Sequence, residues 1–365
     1  MRFKGVTITY FLFLINILSL EFLLISDSFL YFILSWELFN FSLYGIVIME
    51  AKMKDALKAS VNYFILSAIN SFILILGFTL IYLDTASFNL GIFGILYTTG
   101  TTSYLSTLGV ALIFISLFFK LGIAPFHLWA PDLYGIQSLE FTSWLMIVPK
   151  AGLLFLVYNI HFLQLTDSSF IFICGLFSII IGSLGLFAQT KIKELITYSS
   201  IGNMGTFLLI GLTDNFTNNV YIYILSLLCL FAVLIWIKNK WNYENLSIST
   251  FSRLRLSDPA LVAFMIIILL SLAGLPPLIG FLYKLNILEP TLISHPWTAI
   301  ILIIAFVSNT FNYLRLIFSM YSKGPRHFVL NNEWIFPETG VRNSAPMSLF
   351  SLLLPIFIVF LLFCY

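Results

Sequence analysis

Ser271-Leu272-Ala273-Gly274-Leu275-Pro276-Pro277-Leu278-Ile279-Gly280-Phe281-Leu282-Tyr283-Lys284 lies within an apolar run that extends over residues 259–289. A straight helix over that run would reach about 46 Å, against a hydrocarbon core of about 30 Å. Pro276 and Pro277 remove two adjacent backbone donors and predict a break at its middle. In lipid a break persists only where protein or water satisfies the freed carbonyls. Lys284 follows the break, so one membrane-length segment carries both an interrupted backbone and an ionisable side chain.

The rest of the chain is of the same kind. Of 365 residues, 60% are hydrophobic, 17% aromatic and 9% charged, whereas a soluble domain carries about 25% charged residues. A net charge of +2 gives no electrostatic basis for nucleic-acid binding. Cys174, Cys229 and Cys364 are far apart in apolar stretches. They show none of the spacing of a zinc, haem or iron–sulfur site and read as thiols buried in the membrane. There is no glycine-rich phosphate loop and no dinucleotide fingerprint. The run from Met1 to Ile25 lacks a small-residue cleavage site and reads as a retained first helix. Sequons at Asn215 and Asn245 are short enough to arise by chance.

Hydrophobic segmentation predicts an all-α polytopic membrane protein of about eleven transmembrane helices. They fall near 6–25, 28–49, 59–83, 104–128, 140–162, 168–188, 192–213, 218–237, 259–289, 296–320 and 345–364. The connections 84–103, 238–258 and 321–344 are the longest, and the first reads as a loop. Lysine and arginine sort strictly by side. Loops on the N-terminal side hold Arg2, Lys4, Lys52, Lys54, Lys58, Lys191, Lys193, Lys238, Lys240, Arg253, Arg255, Lys323, Arg326 and Arg342, and loops on the other side hold none. The positive-inside rule puts the N-terminus in the cytoplasm or a mitochondrial matrix, and the C-terminus on the opposite side, the intermembrane space in a mitochondrion.

Glu37, Lys120, Lys150 and Lys284 lie within spans. Each such charge costs about 2.5–3.5 kcal/mol on insertion scales, so the three lysines together cost on the order of 8–10 kcal/mol. Lys120 precedes a second candidate break, Gly122-Ile123-Ala124-Pro125, and Lys150 follows Pro149. Breaks beside charges are how transporters bring water and carbonyls to ions at mid-membrane depth. Lysine suits proton transfer because burial and neighbouring charge tune its proton affinity. The structural alternative is a set of buried ion pairs that hold helices together. His127, after the second break, is open to both a relay role and a helix-capping role. Glu21 and Arg315 lie near span ends, where they can reach the interface.

Four segments resemble a known family. Lys120-Leu121-Gly122-Ile123-Ala124-Pro125-Phe126-His127-Leu128-Trp129-Ala130-Pro131-Asp132 is similar to the signature of the antiporter-like membrane subunits of respiratory complex I, the proton-pumping NADH dehydrogenase (NADH:ubiquinone oxidoreductase). Val148-Pro149-Lys150 falls where that family has its next lysine, and Gln189 to Gly202 resembles the segment between its two repeats. Ser271 to Lys284 resembles its broken helix. The nearness of Glu37 to the N-terminus resembles the short, eleven-helix mitochondrial form known as subunit 2, whose bacterial and plant counterparts have three further helices first.

The resemblance implies one antiporter-like domain over 1–365, built of two inverted five-helix repeats with broken helices, at 6–162 and 168–320, and a closing helix at 345–364. It implies a proton relay in which Glu37 and Lys120 form a modulating pair, Lys150 is central and Lys284 hands protons to the outer side. Redox chemistry, with NADH, FMN, iron–sulfur clusters and ubiquinone, is expected in other subunits and no cofactor on this chain. Expected partners are neighbouring antiporter-like subunits, small membrane-arm subunits and lipids, in the mitochondrial inner membrane. Two positions depart from the family: Asn62 and Asn203 stand where lysine and histidine are common. The 218–237 span also has no lysine or histidine to bridge Lys150 and Lys284, which leaves that gap to water with Ser or Tyr side chains. A Mrp-type cation/proton antiporter subunit and a non-pumping structural subunit are the rival readings.

Overall fold

A computed structural model describes residues 2–51, 54–100, 103–159, 168–210, 216–241, 247–248, 259–294 and 296–321. Those residues are helical with short connections. The helices are α1 (Arg2–Ile25), α2 (Phe29–Glu50), α3 (Lys54–Thr85), α4 (Leu90–Thr98), α5 (Tyr104–Leu121), α6 (Trp129–Ile136) and α7 (Leu139–Asn159). They continue as α8 (Ser168–Ala188), α9 (Ile192–Ile210), α10 (Phe216–Trp241), α11 (Pro259–Ala273), α12 (Ile279–Ser294) and α13 (Pro296–Tyr321).

Eight of them are long and apolar enough to cross a membrane: α1, α2, α3, α5, α7, α8, α10 and α13. The more polar α9 and the interrupted α11–α12 pair occupy the two other stretches read as spans. The closing helix expected at 345–364 and the 321–344 connection lie outside the described residues, apart from Tyr321. The 84–103 segment differs from its reading as a plain loop. It contains α4, capped by Asn89, whose side chain accepts from the Gly91 and Ile92 N–H groups. At nine residues it reaches only about 13 Å and cannot span. Its start pairs with the α1–α2 turn through Phe29 N to Phe88 O and Leu90 N to Asp27 O, so backbone groups there are satisfied without a sheet.

The proline breaks appear where the sequence puts them. α5 ends at Gly122, in the left-handed conformation at φ 73° that glycine adopts without steric cost. The break is closed by its neighbours: Ala124 N–H donates to Ser178 Oγ of α8, and Trp129 Nε1 of α6 donates to the Phe119 carbonyl. α11 ends the same way, at Gly274 with φ 75°. Both breaks thus read Gly-x-x-Pro, with the Ala124–Pro125 and Pro276–Pro277 peptides cis.

Packing places α7 at the centre. It contacts α1, α5, α9 and α10 and is buried over almost its whole length. The peripheral helices instead turn large apolar side chains outward, such as Phe11, Phe72, Leu83, Phe264 and Phe318. That surface suits lipid and neighbouring membrane protein, where no hydrophobic penalty attaches to it. Helices approach most closely across glycines: a Cβ on Gly109 would meet the Gly77 carbonyl at 2.6 Å, joining α3 to α5, and one on Gly182 would meet Gly202 Cα at 2.7 Å, joining α8 to α9.

Candidate functional site

Lys150 lies on the central helix α7 and is 2% exposed. Its ammonium donates to Ser200 Oγ of α9 at 2.8 Å and sits 5.6 Å from the Tyr134 ring centroid of α6. Lys120 is in the last turn of α5 and is 4% exposed. It donates to Ser67 Oγ at 2.6 Å and Tyr63 Oη at 3.1 Å, both from α3, and faces the rings of Phe39, Tyr44 and Tyr63. Lys284 of α12 is 5% exposed. It donates to the Ala273 carbonyl, freed by the break at the end of α11, and faces the Phe306 ring at 5.0 Å. A cation at a helix C-terminus also meets the negative end of the helix dipole. Gly274 makes room for it, since a Cβ there would overlap the lysine's own side chain.

None of the three lysines is bonded to a carboxylate. Among the described residues the ion pairs are Lys191–Glu194 and Lys238–Glu140, both at helix ends. Glu37 of α2 is half-buried and acts electrostatically on Lys120 without bonding to it. Its Oε1 is buried with no hydrogen-bond partner. His127 is buried in the α5–α6 break, with Nδ1 likewise unpartnered. Arg315, near its span end, also caps α8, donating to the Phe187 and Gln189 carbonyls.

The span 218–237 indeed brings no cation between Lys150 and Lys284. The space is crossed by neutral polar groups. Asn203 lies one turn beyond Ser200 on α9, and its Oδ1 accepts from Tyr283 Oη at 3.1 Å. Tyr283 immediately precedes Lys284, and the buried Tyr223 hydroxyl of α10 lies against the Asn203 side chain. Two residues after Lys284 on α12, Asn286 donates to Asn219 Oδ1 of α10 at 3.1 Å. In the sequence Asn203 stands out only as a departure from the family, and Ser200, Tyr223 and Tyr283 do not stand out individually. A period was there to find: Lys193, Thr197, Ser200 and Asn203 recur at helical spacing inside an apolar span and are all buried.

The likeness to known proteins covers this whole arrangement. Residues 26–311 match the family described as NADH:quinone oxidoreductase/Mrp antiporter, transmembrane. The NADH-quinone oxidoreductase subunit N of Buchnera aphidicola is 30% identical over 354 residues, covering 91% of this chain and 73% of that relative. That of the Wolbachia of Brugia malayi is 32% identical over 342 residues, covering 89% and 72%. A chain of respiratory complex I from Thermus thermophilus shares the fold at a TM-score of 0.76 and 23% identity, over 97% of this chain and 77% of that one. So does a chain of the Mrp complex from Dietzia, at 0.76 and 19%, over 86% and 60%. These curated relatives are bacterial and named subunit N, so they bear on the antiporter-like complex I subunits in general and not on the mitochondrial subunit-2 form. By sequence match over most of its length, the chain belongs to the NADH:quinone oxidoreductase/Mrp antiporter family of membrane proteins.

Proposed function

We propose that this chain is a proton-translocating subunit in the membrane arm of a complex-I-type NADH:quinone oxidoreductase. The observation that carries this reading is the set of three deeply buried lysines with neutral partners. A lysine kept for structure would be expected opposite a carboxylate, because an uncompensated buried charge is strongly destabilising. Hydroxyls and a carbonyl serve a lysine that alternates between charged and neutral, since they hydrogen-bond both forms.

In this reading Glu37 and Lys120 modulate the loading of Lys150 across the first repeat, 6–162. The second repeat, 168–320, carries the proton through Ser200, Asn203 and Tyr283, with water, to Lys284. The Asn286–Asn219 pair lines the way out. Each proton moved against the field costs about 2.3 kcal/mol per 100 mV, so the energy comes from quinone reduction in other subunits, where NADH, FMN, iron–sulfur clusters and ubiquinone act. The partners are neighbouring antiporter-like subunits, small membrane-arm subunits and lipid. The lysine-rich side faces the compartment where NADH is oxidised: the matrix if the membrane is the mitochondrial inner membrane, the finer localisation we infer, or the cytoplasm in the setting of the bacterial relatives.

The test is NADH-driven proton pumping in vesicles carrying Lys150→Ala. NADH oxidation by an acceptor that bypasses the quinone site reports assembly. Intact assembly with quinone-linked turnover and pumping lost together is the expected result. Wild-type pumping would mean that the buried lysines are structural. The family's Mrp branch and the fold shared with the Dietzia complex favour one second reading, a cation/proton antiporter subunit. A sodium requirement for transport would select it.

A further inference from the structure

Five helix ends meet on the lysine-rich side. Glu140, in the first turn of α7, accepts from Lys238 in the last turn of α10 at 2.6 and 2.8 Å. Close to this partly exposed pair, and within reach of both its charges, lies Lys193, near the start of α9 and 5% exposed. Its ammonium donates to the Gln137 carbonyl in the α6–α7 turn at 2.7 Å. Gln137 is itself buried, with Nε2 donating to Ser60 Oγ of α3 and Oε1 unpartnered. Ser138, next in the turn, donates to Glu50 at the end of α2. The charges that act on Lys193 from the helices around it are Lys238, Lys191, Glu194 and Glu140.

From Lys193 a polar stripe runs inward along one face of α9. Thr197 and Ser200 are fully buried, and Ser200 holds the Lys150 ammonium. Side chains three and four apart on a helix are about 5–6 Å apart at Cβ, a spacing one water closes. Lys193 is therefore a buried cation at the outer end of a line of hydroxyls whose inner end is the central lysine. A charge placed only to fix the turn would need neither the stripe nor the burial.

We propose that Lys193 is the proton-uptake group for Lys150, with the Glu140–Lys238 pair as the movable cover of its mouth. The inference rests on the relay reading of Lys150. Neutral Lys193 takes a proton from water at the lysine-rich surface and forms an N–H bond. It then releases one proton along the Thr197 and Ser200 hydroxyls and their waters to the neutral amine of Lys150, and returns to neutral. Separation of Glu140 from Lys238 admits the water, and their re-pairing closes the route behind the proton.

The experiment compares Lys193→Met and Lys193→Arg in vesicles of the assembled complex, with Lys150→Ala in parallel and the quinone-independent acceptor as the assembly control. Arginine keeps the charge and the donor to Gln137 but does not give up its proton. We therefore expect both variants to assemble and to lose quinone-linked turnover and pumping by about 10²-fold, the usual size of a positioned acid–base group. Full activity in Lys193→Arg, or in Lys193→Met, overturns the proposal and makes Lys193 a positioning residue for the turn. If Lys193→Met fails to assemble, the arginine variant decides alone. Loss in Lys150→Ala with normal Lys193 variants overturns the mouth and leaves the relay standing. Normal pumping in Lys150→Ala overturns both.

Discussion

Gly274→Ala tests whether the second break is built to receive Lys284. The added methyl would sit 2.8 Å from both Cε and Nζ of Lys284 and closer still to Cδ. Unbonded carbons rest at about 3.5–4.0 Å, so the lysine tip must move by about 1 Å. Alanine at φ 75° adds about 1–2 kcal/mol of left-handed strain. The strain is small beside the burial of α11 and α12 among their neighbours, so the complex should still assemble. Displacement of a reacting group by 1 Å, by contrast, can cost about 10²-fold in rate, so the kinetic effect dominates. The assay is quinone-linked NADH oxidation and pumping in vesicles, normalised to the quinone-independent activity. We expect turnover to fall well below a tenth of wild type. We also expect the double variant Gly274→Ala/Lys284→Met to be no worse than Lys284→Met alone, because both changes act through one side chain. Wild-type turnover in Gly274→Ala, or a double variant whose defects add, would refute the reasoning.

Two further outcomes follow from the geometry. Tyr283→Phe removes the hydroxyl that donates to Asn203 Oδ1 and leaves a buried amide oxygen short of a partner at a cost of about 1–3 kcal/mol. Turnover should drop about tenfold with assembly intact, and no change would mean protons bypass this bridge. Gly182→Ala sets a methyl 2.7 Å from Gly202 Cα, backbone against backbone, where overpacking costs about 1–3 kcal/mol or more. The amount of assembled complex and its thermal midpoint should fall together, while Gly94→Ala, whose Cβ meets no atom within 4 Å, should change neither.

The architecture was readable because bilayer physics leaves few choices. A span must satisfy its own backbone, so helices follow hydrophobicity, and the breaks fall at the two Gly-x-x-Pro sites, while the lone Pro149 and Pro290 are carried inside α7 and α12. The short α4 was not readable that way. Its nine residues are apolar but too few to span, and the Thr, Ser and Gly around them read as a loop; the helix forms because Asn89 caps it and the α1–α2 turn pairs with its start. The lysines were legible as costs: a charge in an apolar span stands out against its surroundings. Their partners were not, because serine, asparagine and tyrosine carry no such cost and are common in membrane helices. Which serine meets which lysine is decided by how α9 is rotated against α7, a tertiary fact. Lys193 was passed over for a related reason. Near a span end it counted toward the orientation of the chain, and only the packing of Gln137 and the α6–α7 turn over it makes it buried.

The first half of the proposed relay poses a physical question that the second does not. Lys284 and Lys150 each hold a single oxygen, but Lys120 holds two hydroxyls and faces three aromatic rings, while the carboxylate that acts on it remains partly unsatisfied. A buried oxygen without a partner costs about 1–3 kcal/mol. A desolvated cation–π contact returns up to about 2 kcal/mol, and the two hydroxyl bonds to a charged donor return more. In the present arrangement Lys120 is therefore drawn to α3, and one oxygen of Glu37 on α2 is left without a partner. In the relay proposed above, a turn of Lys120 toward Glu37 would exchange those bonds for an ion pair. The proposed modulating pair would work by that exchange, and it requires the two arrangements to lie within a few kcal/mol of each other, so that a perturbation of that size shifts the population from one to the other.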